Sequence, residues 1–160
     1  MTEFTKAIAA KGQPDATFEA LAALVQETVG AKLFTTTVVH RDRGVVRRNY
    51  SNMPDAYPVS GEKPLTKDRW SDKVEGRHET FVANSIQEIA AVFPDHELIR
   101  SLGCESCMNV PVVIDGSVVG TLNCLHEAGH YTPERVARAE ELKLPGAVAF
   151  LLHRTLSTGA

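Results

Sequence analysis

The stretch from Cys104 to His126 constrains the fold more than any other part of the chain. Two apolar runs, residues 108–114 and 118–125, flank Asp115-Gly116. An Asp-Gly step between runs rich in β-branched residues signals a hairpin, because both residues reach the left-handed conformation a tight turn demands at small steric cost. These residues predict a central β-hairpin.

Register then decides which side chains share a face, since a slip of one residue moves a strand's whole set to the other side of the sheet. A two-residue Asp115-Gly116 turn would set Cys107 opposite Cys124 and Asn109 opposite Leu122. A three-residue Ile114-Asp115-Gly116 turn, with Gly116 as a left-handed bulge, sets Cys107 opposite Asn123 and Asn109 opposite Thr121. The second gathers Cys107, Asn109, Thr121 and Asn123 on one face and Met108, Val110, Val112, Val118, Gly120, Leu122 and Cys124 on the other. Burying an amide without a partner costs on the order of several kcal/mol. The three-residue turn is therefore the expected one, with a core on one face and a candidate site on the other.

Leu98-Ile99-Arg100-Ser101-Leu102-Gly103, Ser106, Val110-Pro111-Val112 and the run from Asp115 to Asn123 together resemble the closing segment of a GAF domain. The shared pattern is a helix ending in Leu-Gly, a strand through Val-Pro, an Asp-Gly turn and a return strand. The resemblance implies an α/β fold: a central antiparallel sheet, N- and C-terminal helices on one face, and an irregular 52–103 segment covering the other. It implies a small-molecule-binding sensory or regulatory module, with the ligand held between the sheet and that segment.

Composition agrees with one domain. A chain of 160 residues can bury a substantial core without disulfides or metals. A net charge of −3 and a pI near 6.1 argue against nucleic-acid or membrane-surface partners; the basic residues cluster only at Arg41, Arg43, Arg47 and Arg48. No apolar run reaches membrane-spanning length, and residues 1–15 lack a signal peptide's pattern, so a cytoplasmic location with three free thiols is expected.

In chain order, residues 1–13 form an arm, loose or briefly helical, the domain spans 14–156, and 157–160 are a tail. A helix is expected from Pro14-Asp15, with Asp15 as N-cap, to a Gly30 C-cap, its apolar stripe on Phe18, Leu21, Leu24 and Val25. Leu33–His40 and Val45–Ser51 read as a strand pair. Residues 52–77 are broken by Pro54, Pro58, Gly61 and Pro64, with a short helical run near 68–74. Tyr57, Trp70 and His78 from this region are candidate pocket walls. A short strand at 80–83, a short helix starting at Asp95 and ending at Gly103, and a last helix with Thr132 as N-cap complete the reading. Pro145-Gly146 is expected to kink or break that helix. The apolar run 147–152 exceeds what one sheet can cover, which predicts a homodimer.

Cys104-Glu105-Ser106-Cys107 admits three readings. A redox dithiol wants its nucleophile at a helix N-terminus, whereas this pair follows a helix end and brackets an acid. A zinc site of Cys104, Cys107, Cys124 and His126 has enough ligands, but the expected register separates Cys107 from Cys124. Ordinary buried or pocket-lining thiols are favoured, with no metal, no catalytic residue and no specified cofactor.

Three GAF subgroups sharpen this. The free methionine-sulfoxide reductases carry an upstream resolving cysteine and acids on the return strand; here no cysteine precedes Cys104, and Asn123 and Leu125 stand in the acid positions. The cyclic-nucleotide signature is echoed by Asn84, Phe93, Asp95 and Glu97, but Ser85 replaces its lysine. Bilin-binding domains carry a Cys-His step that is absent. The ligand-binding expectation thus rests on Cys107, Asn109, Thr121, Asn123, Tyr57, Trp70 and His78. The alternatives are a thiol-dependent redox enzyme on the same scaffold and a Cys/His metal-binding protein.

Overall fold

β1 (Leu33–His40) and β2 (Val45–Ser51) form where the β-branched runs predict them, and they pair antiparallel. A computed structural model describes residues 2–158 of the chain. Its single six-stranded sheet adds β3 (Glu62–Pro64), β4 (Phe81–Ala83), β5 (Ser106–Ile114) and β6 (Ser117–His126), in the order β3-β2-β1-β6-β5-β4, with every neighbouring pair antiparallel.

The central hairpin corrects the expected turn. Asp115 (φ +51°) and Gly116 (φ +75°) are both left-handed, so Ile114 faces Ser117 across a two-residue turn. The ladder then shifts, with Val113 opposite Val118 but Val112 opposite Gly120, leaving Val119 as an extra residue in a bulge. Beyond it Cys107 faces Leu125 and Asn109 faces Asn123, two positions from the expected partners. An even shift preserves the faces. Cys107, Asn109, Thr121 and Asn123 remain on one side, while Met108, Val110, Val112, Leu122 and Cys124 pack in the core on the other, joined by Val119 where Val118 was expected.

That core lies under α1 (Thr2–Ala9), α2 (Asp15–Thr28), a 3₁₀ turn (Ala139–Leu142) and α7 (Lys143–Thr158). The first residues form a helix that buries Phe4. Asp15 is not the cap of α2: Pro14 holds the N-cap position without a side-chain bond. Gln13 organises the junction instead. Its Nε2 donates to the carbonyls of Ala7 (2.6 Å), Ala10 and Ile8 at the end of α1, while its Oε1 accepts from Thr17 Oγ1 at 2.6 Å. Gly30 (φ +77°) closes α2 as its sequence predicts.

α6 (Pro133–Arg138) starts at Thr132, whose hydroxyl accepts from the Arg135 amide. The expected break at Pro145-Gly146 does not occur. Pro145 is the third residue of α7, inside the first turn where an amide has no helical partner, and the irregularity falls earlier, in the 3₁₀ turn. Gly146 lets α7 approach the sheet; a Cβ there would sit 3.2 Å from Val112 Cγ2. Among the described residues no helix is long and apolar enough to cross a membrane.

Candidate functional site

The opposite face of the sheet is roofed by the 53–103 segment. α4 (Ile86–Ala90) and α5 (His96–Ser101) pack Ile89 and Ile99 against Leu33, Phe81, Cys107 and Leu125. Ahead of them α3 (Arg69–Ser71) continues into a π-helical turn, Asp72–Gly76, a geometry often found at functional sites. A reciprocal cap fixes this start: Asp68 Oδ1 accepts from the Ser71 amide and Ser71 Oγ accepts from the Asp68 amide, both at 2.8 Å. Trp70 sits between the two.

Between roof and sheet lies a cavity of about 520 Å³. Alternation along β1 supplies Leu33, Thr35, Thr37 and Val39; β5 supplies Cys107 and Asn109; β6 supplies Thr121, Asn123 and Leu125. Val46 and Arg48 of β2 extend the floor, while Tyr57, Trp70, Phe93, Asp95 and Ile99 belong to the roof. Apolar groups dominate, and the polar ones are few and placed, as in small-molecule sites generally.

A hydrogen-bonded rung crosses three strands of the floor. Trp70 Nε1 donates to Asn109 Oδ1 (2.9 Å), Asn109 Nδ2 donates to Asn123 Oδ1 (2.9 Å), and Asn123 Nδ2 donates to Thr35 Oγ1 (3.2 Å). Beside it the Thr37 and Thr121 hydroxyls share a bond of 2.5 Å. Each amide keeps spare donor and acceptor capacity after these bonds. The rung is thus ordered without being saturated.

A second cluster forms at Tyr57. Its hydroxyl donates to Asp95 Oδ2 at 2.5 Å, and the Arg48 guanidinium lies 4.8 Å over its ring. Burial, reinforced by the bond to Asp95, raises the Tyr57 phenol above its ordinary range, so it stays a donor. Burial also lowers the Arg48 pKa, against the pull of Tyr57 and Asp95. Asp95, expected as a helix start and as part of the cyclic-nucleotide echo, makes no capping bond and turns its carboxylate to Tyr57, with Lys63 Nζ at 3.8 Å. Glu75, from the π-helical turn, also lines the cavity and binds Arg41 at 3.0 Å.

Six of the seven residues singled out from sequence, Cys107, Asn109, Thr121, Asn123, Tyr57 and Trp70, line this one cavity. His78 does not; it is half-buried with φ +59° on the way into β4. Thr35, Thr37, Arg48 and Glu75 join the site without having been singled out. Of the cyclic-nucleotide echo, Phe93 and Asp95 line the cavity, but the Asn84 side chain is occupied with the Tyr131 backbone.

The thiols are buried on two sides of the sheet. Cys104 and Cys107 pack with the roof and Cys124 with the helices, so the four-ligand site with His126 does not assemble. Burial pushes Cys107 up to about 12 and raises Cys104 and Cys124 as well, the reverse of what a reactive thiolate needs.

A helix-backed antiparallel sheet whose other face holds a roofed cavity is the architecture of a GAF domain, and the chain belongs to that family: the family pattern matches residues 13–149. Among solved structures, the GAF domain of a two-component sensor histidine kinase from Bacillus halodurans is 14% identical with a TM-score of 0.69, covering 92% of this chain and 99% of that one. The GAF domain of a phosphoenolpyruvate-protein phosphotransferase from Coxiella burnetii is 16% identical (TM-score 0.70; 99% and 93% covered). The blue-light absorbing form of the Thermosynechococcus elongatus PixJ GAF domain is 18% identical (TM-score 0.63; 93% and 95%). At these identities the likeness is one of fold. No curated protein matches the chain.

Proposed function

We propose that the protein is a sensory GAF domain that binds a small molecule between the sheet and the 53–103 roof. The carrying observation is the Trp70–Asn109–Asn123–Thr35 rung on the floor of a 520 Å³ cavity. A polar rung among the apolar groups of the cavity orients a ligand through its spare amide groups, while the apolar walls supply affinity. The sensor histidine kinase origin of one structural relative is consistent with a signalling role. Trp70 ties the roof to the floor, so a ligand that engages Asn109 competes with the indole and alters the fit of the roof. Native mass spectrometry of protein purified from cells, compared with its denatured mass, tests this reading: a retained small molecule supports it.

The protein works as a homodimer in this proposal, through α7. Leu144 (74% exposed) and Leu151 (44%), seven residues apart on one face of α7, leave apolar surface outside the core, and the same patch on a second copy would cover it.

A further inference from the structure

His126 ends β6 and His130 closes the loop that follows; their imidazoles lie face to face, centroids 3.6 Å apart and planes 5° from parallel. Neither lines the ligand cavity. The Glu127 carboxylate completes a group in which one nitrogen of each ring and one carboxylate oxygen all lie within 4.8 Å of one another. Among the described residues no other three His, Cys, Asp or Glu side chains converge in this way.

The backbone fixes what His130 offers. Its Nε2 lies 2.8 Å from the Val29 carbonyl oxygen, a bond that only a ring protonated at Nε2 can donate, which leaves the lone pair on Nδ1. A backbone carbonyl taking one ring N–H is how metal-bound histidines are commonly oriented. At His126 the Nδ1 accepts from the Glu127 amide at 2.8 Å, on the exposed side, so water can take over that amide when the ring turns. The loop is already anchored: buried Tyr131 donates its hydroxyl to the Gly30 carbonyl at 2.9 Å, and the Asn84 amide holds the Tyr131 backbone at 2.9 and 3.0 Å.

We propose that His126, Glu127 and His130 bind a divalent transition-metal ion of the zinc class. Two imidazoles and one carboxylate suit Zn²⁺, Ni²⁺ or Cu²⁺ better than the hard ions Ca²⁺ and Mg²⁺. Ligands on one tetrahedral ion stand about 3.4 Å apart, so the rings tilt out of their parallel stack to converge, and water takes the open position. The bound ion would tie the end of β6 to the end of α2 through the His130–Val29 bond.

Cobalt(II) titration of chelator-treated protein tests the site. The expected result is one Co²⁺ per chain, with the weak visible bands of nitrogen and oxygen ligation and no thiolate charge-transfer band. His130→Gln, which keeps an amide donor for Val29, should weaken binding by more than the roughly 10–100-fold that losing an outer partner costs. Glu127→Gln should weaken it to a smaller extent while leaving the melting temperature of the metal-free chain unchanged. Zn²⁺ should raise the melting temperature of the parent chain and not that of a His126→Gln/His130→Gln double variant. Absence of saturable Co²⁺ binding, binding unchanged in the His130→Gln variant, or a thiolate-to-cobalt band would overturn the proposal.

Discussion

Trp70 Nε1 donates to Asn109 Oδ1 at 2.9 Å, which joins the only tryptophan of the chain to the rung that links β5, β6 and β1. Removing Asn109 strands two groups at once, the indole N–H and the Asn123 Oδ1 that accepts from it. Asn109→Leu is therefore expected to lower stability by about 1–3 kcal/mol, the cost of leaving buried polar groups unpaired. Urea denaturation measures that loss, and the native Trp70 emission should shift as the indole loses its partner. An unchanged midpoint would show that the rung is not maintained in solution.

The Phe150 ring of α7 packs over Gly120 of β6 in space that a side chain there would fill. A Cβ at position 120 would lie 2.5 Å from Phe150 Cζ and 2.6 Å from the Thr37 carbonyl oxygen. Gly120→Ala should destabilise by about 1–3 kcal/mol through overpacking. Adding Phe150→Leu should recover only part, because the Thr37 backbone oxygen stays in place. Thermal melts of the two variants provide the comparison.

The buried thiols carry a pH dependence. Cys107 rises from an ordinary value of 9.0 to about 12 by burial, so between these values the unfolded chain has released the proton that the folded chain still holds. Proton release then favours unfolding: the thiol's contribution is fully present below pH 9 and declines as pH rises toward 12. Denaturation midpoints measured from pH 8 upward should fall, and Cys107→Ala should flatten part of that slope. A slope identical in parent and variant would remove Cys107 as its source.

The α7 stripe separates assembly from folding. Phe150 is buried against Phe18, whereas Leu151 is exposed. Leu151→Glu should give a folded monomer whose melting temperature no longer depends on protein concentration, while Phe150→Glu should unfold the chain by placing a charge in the core. Equilibrium sedimentation reads the first and circular dichroism the second; a single-chain mass for the unaltered protein would remove the dimer.

Much of this fold is legible in the residues because local and global preferences agree. The β-branched Leu33–His40 run admits little but a strand, and the polarity of Asn109, Thr121 and Asn123 predicts the face they share, which the two-residue turn reaches only together with the Val119 bulge. The exact register is not legible, because the Val119 bulge adds a residue that no turn signal announces. Thr35 and Thr37 were hidden inside a run of three threonines, where polarity does not show which face each takes. Asp95 looks in sequence like a helix cap, and only the fold brings Tyr57 within 2.5 Å of it. His78 shows the converse: a place in the roof segment does not by itself carry a side chain into the cavity. The His126–His130 stack is not legible either, because only the path of the loop between them brings the two rings together.

The central claim is that the cavity over the Asn109–Asn123 rung holds a small molecule, and Trp70 in its wall provides the most direct measurement. Protein unfolded, dialysed and refolded should show a Trp70 emission change when returned to the low-molecular-weight fraction of a cell extract, saturably, and native mass spectrometry of the same mixture should show one added mass per chain. The Asn109→Leu variant should show neither. A Trp70 emission that no such fraction moves, together with a native mass equal to that of the bare chain, would contradict the account.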